Sequence, residues 1–301
     1  MASVVQTAYG EMRVTDTASD LIGRSLERFG SWCASETDFV STLLRPTDFL
    51  WDGGAYLGTF SLGVQARSPV KVLAIEANPD VVPLLASNLA ANKKAAYGIA
   101  SVALGPRNGF AELEGSRSNN LGASRFRRAD ERPAGPTAIK AVTLRDMRAW
   151  HGDYSALKLD IEGAEFEVLK GDADYIRAAK PLLWVECNED ARSLDLADFF
   201  SWAGLDPLFV AVPALPEALD GISPEVCEGF LLGGWRTRCE GTPDLPQGRG
   251  FVRPIGSRRD LRDALWDTPR WADAGWDSLV RSELVARLSR LTLGQRFQDF
   301  I

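Results

Sequence analysis

Four short apolar runs in this chain each end in residues equipped for chemistry. Phe49-Leu50-Trp51 leads into Asp52-Gly53-Gly54-Ala55-Tyr56-Leu57-Gly58. Residues 70–75 end on Glu76, twenty-four positions after Asp52. Residues 156–159 run into Asp160-Ile161-Glu162-Gly163-Ala164-Glu165, and residues 182–185 run into Glu186. Glycines after a strand let the backbone turn sharply into a helix and approach a ligand closely. An acid at the end of the next strand suits the hydroxyls of a ribose. Together, turn and acid mark a site for a nucleotide-like cofactor. Each also has a plainer explanation, the turn as a tight connection and Glu76 as a helix-dipole charge ahead of Asn78-Pro79. Asp160, Glu162 and Glu186 are the candidate catalytic acids, because converging carboxylates raise one another's pKa and one of them then serves as a general base near neutral pH. The same acids could instead hold Mg²⁺, the less favoured role, or cap helices.

To bring these residues to one edge, the runs must be neighbouring strands. Stretches with helical spacing separate them: residues 59–65, then Val81, Val82, Leu84, Leu85 and Leu89, then Phe166, Val168 and Leu169, then residues 194–202. Further strands are expected over 96–102, 208–212 and 229–232. This alternation predicts an α/β fold with a mostly parallel, seven-stranded sheet and helices on both faces. Leu21, Ile22, Leu26 and Phe29, then Phe39, Val40, Leu43 and Leu44, predict an N-terminal helical lead-in over residues 1–47. The core domain is expected over 48–234 and a C-terminal helical extension over 235–301, on the spacing of Leu279, Leu284, Leu288 and Leu291. That tail is expected to pack on the domain or on a second copy of the chain as a homo-oligomer. Residues 105–136, rich in Gly, Ser, Asn, Arg and Pro, are expected to form a loop that is either a substrate cover or an exposed insertion, with a short strand near 110–113.

Composition narrows the partners. With 45% hydrophobic residues, nine tryptophans and fourteen phenylalanines, the chain is built to fold. A net charge of -7 disfavours nucleic acid. The basic cluster Arg125, Arg127, Arg128 and Arg132 is local, and if it binds anything, an anionic substrate suits it. Cys33, Cys187, Cys227 and Cys239 form no CxxC pair and read as reduced thiols. No apolar run is long enough for a membrane span and the N-terminus lacks a signal-peptide pattern, so a cytoplasmic protein with no membrane partner is expected. His151, the single histidine, lies upstream of residues 156–159, at the wrong end of that strand to serve as the base.

The succession of the glycine turn at 52–58, Ile75-Glu76-Ala77-Asn78-Pro79, the stretch 85–92, Lys158-Leu159-Asp160-Ile161-Glu162-Gly163-Ala164-Glu165 and the stretch 181–186 resembles the FkbM-type methyltransferases over roughly residues 25–212. The resemblance implies a Rossmann-like class I methyltransferase using S-adenosylmethionine, acting on hydroxyls of sugars, polyketides or other secondary metabolites. It implies that Asp52, Gly54 and Gly58 form the methionine-side turn, with Gly53, Ala55 and Tyr56 among them. It further implies Glu76 as the ribose ligand with Ala77 beside it, Ser101, Val102 and Ala103 as the wall beside the adenine, and Asp160 facing the reaction centre. Tyr56 stands where relatives usually carry Asn, a change that could reshape the methionine pocket, and Gly53 stands where they usually carry an apolar residue. The alternatives are a non-catalytic binding or scaffold module of the same fold and an NAD-dependent oxidoreductase. The second is disfavoured because Gly54-x-x-x-Gly58 lacks the GxGxxG spacing that admits a pyrophosphate.

Overall fold

The computed structural model describes residues 3–15, 20–113, 126–129, 138–187, 192–245 and 249–269, with backbone alone at 113 and 126–129. Apolar residues at successive positions of a strand require cover on both faces, and this requirement organises the molecule. β3 (Phe49–Gly53), β4 (Lys71–Ile75), β5 (Tyr97–Ala100), β10 (Ala156–Leu159) and β11 (Leu182–Glu186) lie side by side and parallel, in the order β11-β10-β3-β4-β5. Their carboxyl ends therefore share one edge, and the four chemical runs meet there.

The sheet is larger and less parallel than its sequence suggests. β12 (Leu208–Pro213), β13 (Cys227–Gly233) and β14 (Phe251–Pro254) extend it to eight strands in the order β14-β12-β13-β11-β10-β3-β4-β5, all three by antiparallel pairing. This corrects the expected seven-stranded, mostly parallel sheet to a mixed one. β14 is hard to read in sequence because Arg253 and Pro254 interrupt its apolar pattern. Its pairing with β12 also carries the sheet past residue 234, so residues 251–254 belong to the domain and not to a helical extension. Of that extension, α9 (Arg258–Asp267) is present and buries Leu261, Ala264 and Leu265. The leucine spacing over 279–291, and with it the expected subunit contact, lies outside the described residues.

One face of the sheet, through Trp51, Leu73, Leu157, Leu159, Leu183 and Val185, packs against α5 (Leu144–His151), α6 (Glu165–Lys170), α7 (Ala173–Ala179), α8 (Arg192–Ala203) and α9. The other face, through Leu50, Val72, Ala156, Leu182 and Trp184, packs against α2 (Ala34–Leu43) and α3 (Thr59–Arg67). Farther along that face, Ala74 joins α1 (Leu21–Phe29), α4 (Val82–Asn92) and the N-terminus.

The N-terminus differs from the expected all-helical lead-in. Ahead of α1 and α2, residues 3–14 form an antiparallel hairpin of β1 (Ser3–Thr7) and β2 (Gly10–Val14). Alternation within each strand explains it: Val5, Thr7, Met12 and Val14 are buried and Val4, Gln6, Glu11 and Arg13 are exposed, a period of two. A second, four-stranded sheet in the order β6-β9-β7-β8 is built from β6 (Ala103–Leu104), β7 (Gly109–Leu113), β8 (Phe126–Ala129) and β9 (Ala138–Val142). Part of the expected 105–136 loop is thus strand. The remainder, including Arg125 and Arg132 and the cover expected there, lies outside the described residues.

Candidate functional site

The turn after β3 is shaped by what lies behind it. Gly54 has φ of 78°, and a Cβ there would sit 1.8 Å from the Asp160 carbonyl oxygen. A Cβ on Gly53 would meet the Leu159 side chain at 2.8 Å, and Gly58, with φ of 88°, faces Leu85 at 3.0 Å. These glycines are therefore required by the close approach of the turn to β10 and α4, whatever they do for a ligand. The Gly54 and Ala55 amides both donate to the Ile75 carbonyl, which pins the turn to the end of β4. Gly58 opens α3 without a side-chain cap, leaving the first amides of that helix at the turn.

Glu76 is buried at the end of β4 and ties two loops together. Its Oε2 accepts from the Tyr56 amide at 2.9 Å and its Oε1 from the Asn78 amide at 2.7 Å. Burial raises its pKa, and the backbone donors at Asn78, Tyr56 and Ala77 offset part of that rise. With three of its roughly four acceptor positions used, the carboxylate keeps capacity for a ligand hydroxyl. Asn78 beside it is buried, with Oδ1 accepting from the Asp80 amide and Nδ2 lacking any hydrogen-bond partner. A buried amide donor one bond short, next to a carboxylate with acceptor capacity, fits the ribose and base of a nucleoside. Ala77 packs against Ala103, Ala111, Ile139 and Ala141 of the small sheet. Ser101 is exposed and Val102 half-buried in the link between β5 and β6.

At the other end of the edge, Lys158 gathers the acids. It sits among the apolar residues of β10, in register with Asp52 of β3 and Trp184 of β11. Its Nζ donates to the Gly54 carbonyl at 3.0 Å and lies 3.2 Å from Asp160 Oδ2 and 3.5 Å from Asp52 Oδ1. Burial opposes its charge, yet Asp160, Asp52 and Glu36 outweigh burial and hold it protonated. Ser61 Oγ donates to the other Asp52 oxygen at 2.6 Å. Glu36, in the first turn of α2, accepts from Trp184 Nε1 at 2.7 Å. Desolvation raises its pKa to about 7, against the lowering effects of Lys158 and the Trp184 bond. The sequence alone assigns no role to Lys158, Glu36 or Asn78. A lysine inside Ala-Leu-Lys-Leu was a legible signal, whereas Glu36 reaches the site only through tertiary packing.

Three further carboxylates complete the edge. Glu162 has φ of 61°, and Gly163 follows with φ of 99°. The loop they form folds back so that the Ile161 and Gly163 amides donate to Glu165 Oε1, at 2.8 and 3.2 Å. Burial lifts the Glu165 pKa to about 6. Glu186, at the end of β11, is pushed well above the usual carboxylate range, first by burial and then by the negative charges of Asp160, Glu162, Glu165 and Glu228. Asp160, Glu162, Glu165 and Glu228 thus all act on Glu186. His151 lies at the C-terminal end of α5, edge-on to Trp51 at 6.5 Å between ring centroids. The four cysteines are free thiols. Among the described residues, no group of three or more His, Cys, Asp or Glu is placed to hold a metal ion, and no helix is long and apolar enough to cross a membrane.

The chain is 32% identical over 160 residues to the methyltransferase sdnD of Sordaria araneosa, an alignment covering 42% of this chain and 61% of that protein's length. Among solved structures, the methyltransferase FkbM from Methylobacillus flagellatus KT matches with a TM-score of 0.43 at 19% identity, over 66% of this chain and 47% of that one. Precorrin-6y C5,15-methyltransferase from Geobacter metallireducens matches with a TM-score of 0.42 at 10% identity, over 66% of this chain and 86% of that one. The family model for the methyltransferase FkbM domain matches residues 52–204, from the first acid of the glycine turn to the end of α8. This chain belongs to the FkbM methyltransferase domain family.

Proposed function

We propose that the chain transfers a methyl group from S-adenosylmethionine to a hydroxyl of a small molecule, a sugar or another secondary metabolite. The observation that carries this reading is the carboxylate group around Glu186, set on the same sheet edge as the Glu76 and Asn78 pair. Bound S-adenosylmethionine supplies a methyl group already activated on a sulfonium. The chain's own work is then to hold the donor, align the acceptor and take its proton.

Glu76 and Asn78 hold the ribose and base, and the turn at 53–58 with the open first amides of α3 receives the methionine end. Asp160 is committed to its ion pair with Lys158, so it positions the edge and is the poorer proton acceptor. Glu186 is the better one, since its crowded carboxyl binds a proton at a pH where an isolated carboxylate would not. Its role would be to take the proton of the acceptor hydroxyl.

Isothermal titration with S-adenosylmethionine tests the donor, and a methyl-transfer assay over a panel of sugar and polyketide hydroxyl compounds tests the acceptor. Glu76→Ala is expected to weaken donor binding at least tenfold, through both the lost ligand contact and the loosened Tyr56 and Asn78 amides. Glu186→Gln is expected to lower turnover by about 10² to 10⁴ with donor affinity unchanged. Its rate should also lose the rise with pH that the parent shows as Glu186 deprotonates. Normal turnover in Glu186→Gln removes that residue as the base, and absence of donor binding by the parent removes the whole reading.

A further inference from the structure

Tyr56 occupies a left-handed backbone conformation, φ of 45°, in the middle of the donor turn. A residue with a Cβ adopts this conformation only where its surroundings hold it there. Its amide is bonded to Glu76. Its ring is buried in a cluster with Met12, Leu26 and Leu85, and its hydroxyl donates to Asp20 Oδ2 at 2.8 Å and lies 3.0 Å from Thr15 Oγ1. Thr15 donates to the same Asp20 oxygen. Asp20 is fully buried and caps α1, accepting from the Ile22 and Gly23 amides. One residue thus grips the donor-side acid through its backbone and the N-terminal segment through its side chain.

A second clamp lies one residue on. Asn88 of α4 accepts from the Arg13 amide at 2.7 Å and donates to the carbonyls of Arg13 and Leu57, at 2.9 and 3.0 Å. Consecutive turn residues, 56 and 57, are therefore bonded, directly or through Asn88, to Arg13, Thr15 and Asp20, which precede the family-matched region at 52–204.

We propose that the buried Tyr56–Asp20 hydrogen bond is a latch through which the N-terminal segment positions the donor turn, making Tyr56 and Asp20 positioning residues for the methyl donor. The proposal rests on the donor-site reading above. It gives the tyrosine a task away from the ligand: the phenol reaches a buried carboxylate acceptor, a strong class of hydrogen bond, and so holds the turn in its strained form.

Tyr56→Phe in the full chain removes the hydroxyl and keeps the ring. Titration with S-adenosylmethionine and S-adenosylhomocysteine is expected to show both Kd values raised about five- to tenfold, the loss of one buried bond to a charged partner. Asp20→Asn, which keeps an oxygen acceptor without the charge, is expected to fall between parent and Tyr56→Phe. For donor affinity the double variant should be no worse than Tyr56→Phe alone, because, of the bonds Asp20 accepts, only that from Tyr56 comes from the turn. Hydrogen exchange without ligand is expected to be faster at residues 55–58 in Tyr56→Phe and unchanged in β3 and β10. A purely structural role would lower the melting temperature and leave Kd, measured well below it, within twofold of the parent; that result overturns the proposal. If the parent binds neither compound, the donor-site reading falls. The exchange rates then decide the latch by themselves, and unchanged exchange at 55–58 overturns it.

Discussion

Around Lys158, one cation faces three carboxylates, and the surplus negative charge has to settle somewhere. Glu36 relieves it by holding a proton: burial lifts its pKa to about 7, so it binds a proton more tightly in the folded chain than in the unfolded one. For an acid raised in this way, the stabilising effect is complete below the unfolded value and is lost as pH climbs through the folded value. Glu36 thus favours the fold at pH 4 and withdraws that support between about pH 4.5 and 7, a change on the order of 3 kcal/mol. Glu36→Gln keeps an acceptor for Trp184 and cannot ionise. Thermal melts are expected to show little difference from the parent at pH 5 and a more stable variant at pH 8. A constant difference across that range would assign the surplus charge to another group. The acids named from sequence, Asp160, Glu162 and Glu186, were visible because they follow apolar runs. Glu36 was not, because its position in α2 carries no mark of which strand it will cover.

At the scale of elements, the turn and β10 are fitted to each other with no spare room. Gly54→Ala would place a methyl group 1.8 Å from the Asp160 carbonyl in a left-handed backbone, at a loss on the order of 3 kcal/mol. The Gly54 carbonyl is also the acceptor for Lys158. The variant is therefore expected to lower both melting temperature and donor affinity, read by calorimetry and titration, and a variant that melts like the parent would contradict the close approach. The parallel strands are legible for the same reason that they are buried: residues 72–75 and 182–185 are apolar on both faces. The elements that escaped sequence reading lack such runs. β1 and β2 alternate over only five residues each, and β9 and α5 follow a stretch whose Gly and Pro content reads as loop. α9 offers only Leu261, Ala264 and Leu265 among seven other residues that are mostly charged.

For the whole molecule, the described residues after 234 pack onto the sheet. Arg238 donates to Asp48 at 2.5 Å and to the Ser155 carbonyl at 2.9 Å, joining the starts of β3 and β10, while β14 closes the sheet beside β12. A chain ended after Gly234 is expected to be recovered as aggregate, with size-exclusion chromatography and light scattering as the readout; a monomeric, folded product would restore the boundary at 234. The reason lies in β12. Its six residues, Leu-Phe-Val-Ala-Val-Pro, are all buried, and without β14 they would offer an unpaired apolar edge for another chain to join. The finished molecule presents β14 instead, four residues with Arg253 and a terminal proline, none of them fully buried. On the ribosome β12 is made well before β14. Each nascent chain therefore passes through an interval in which its most adhesive strand has no guard, and the yield of the protein should depend on how quickly the last strand follows.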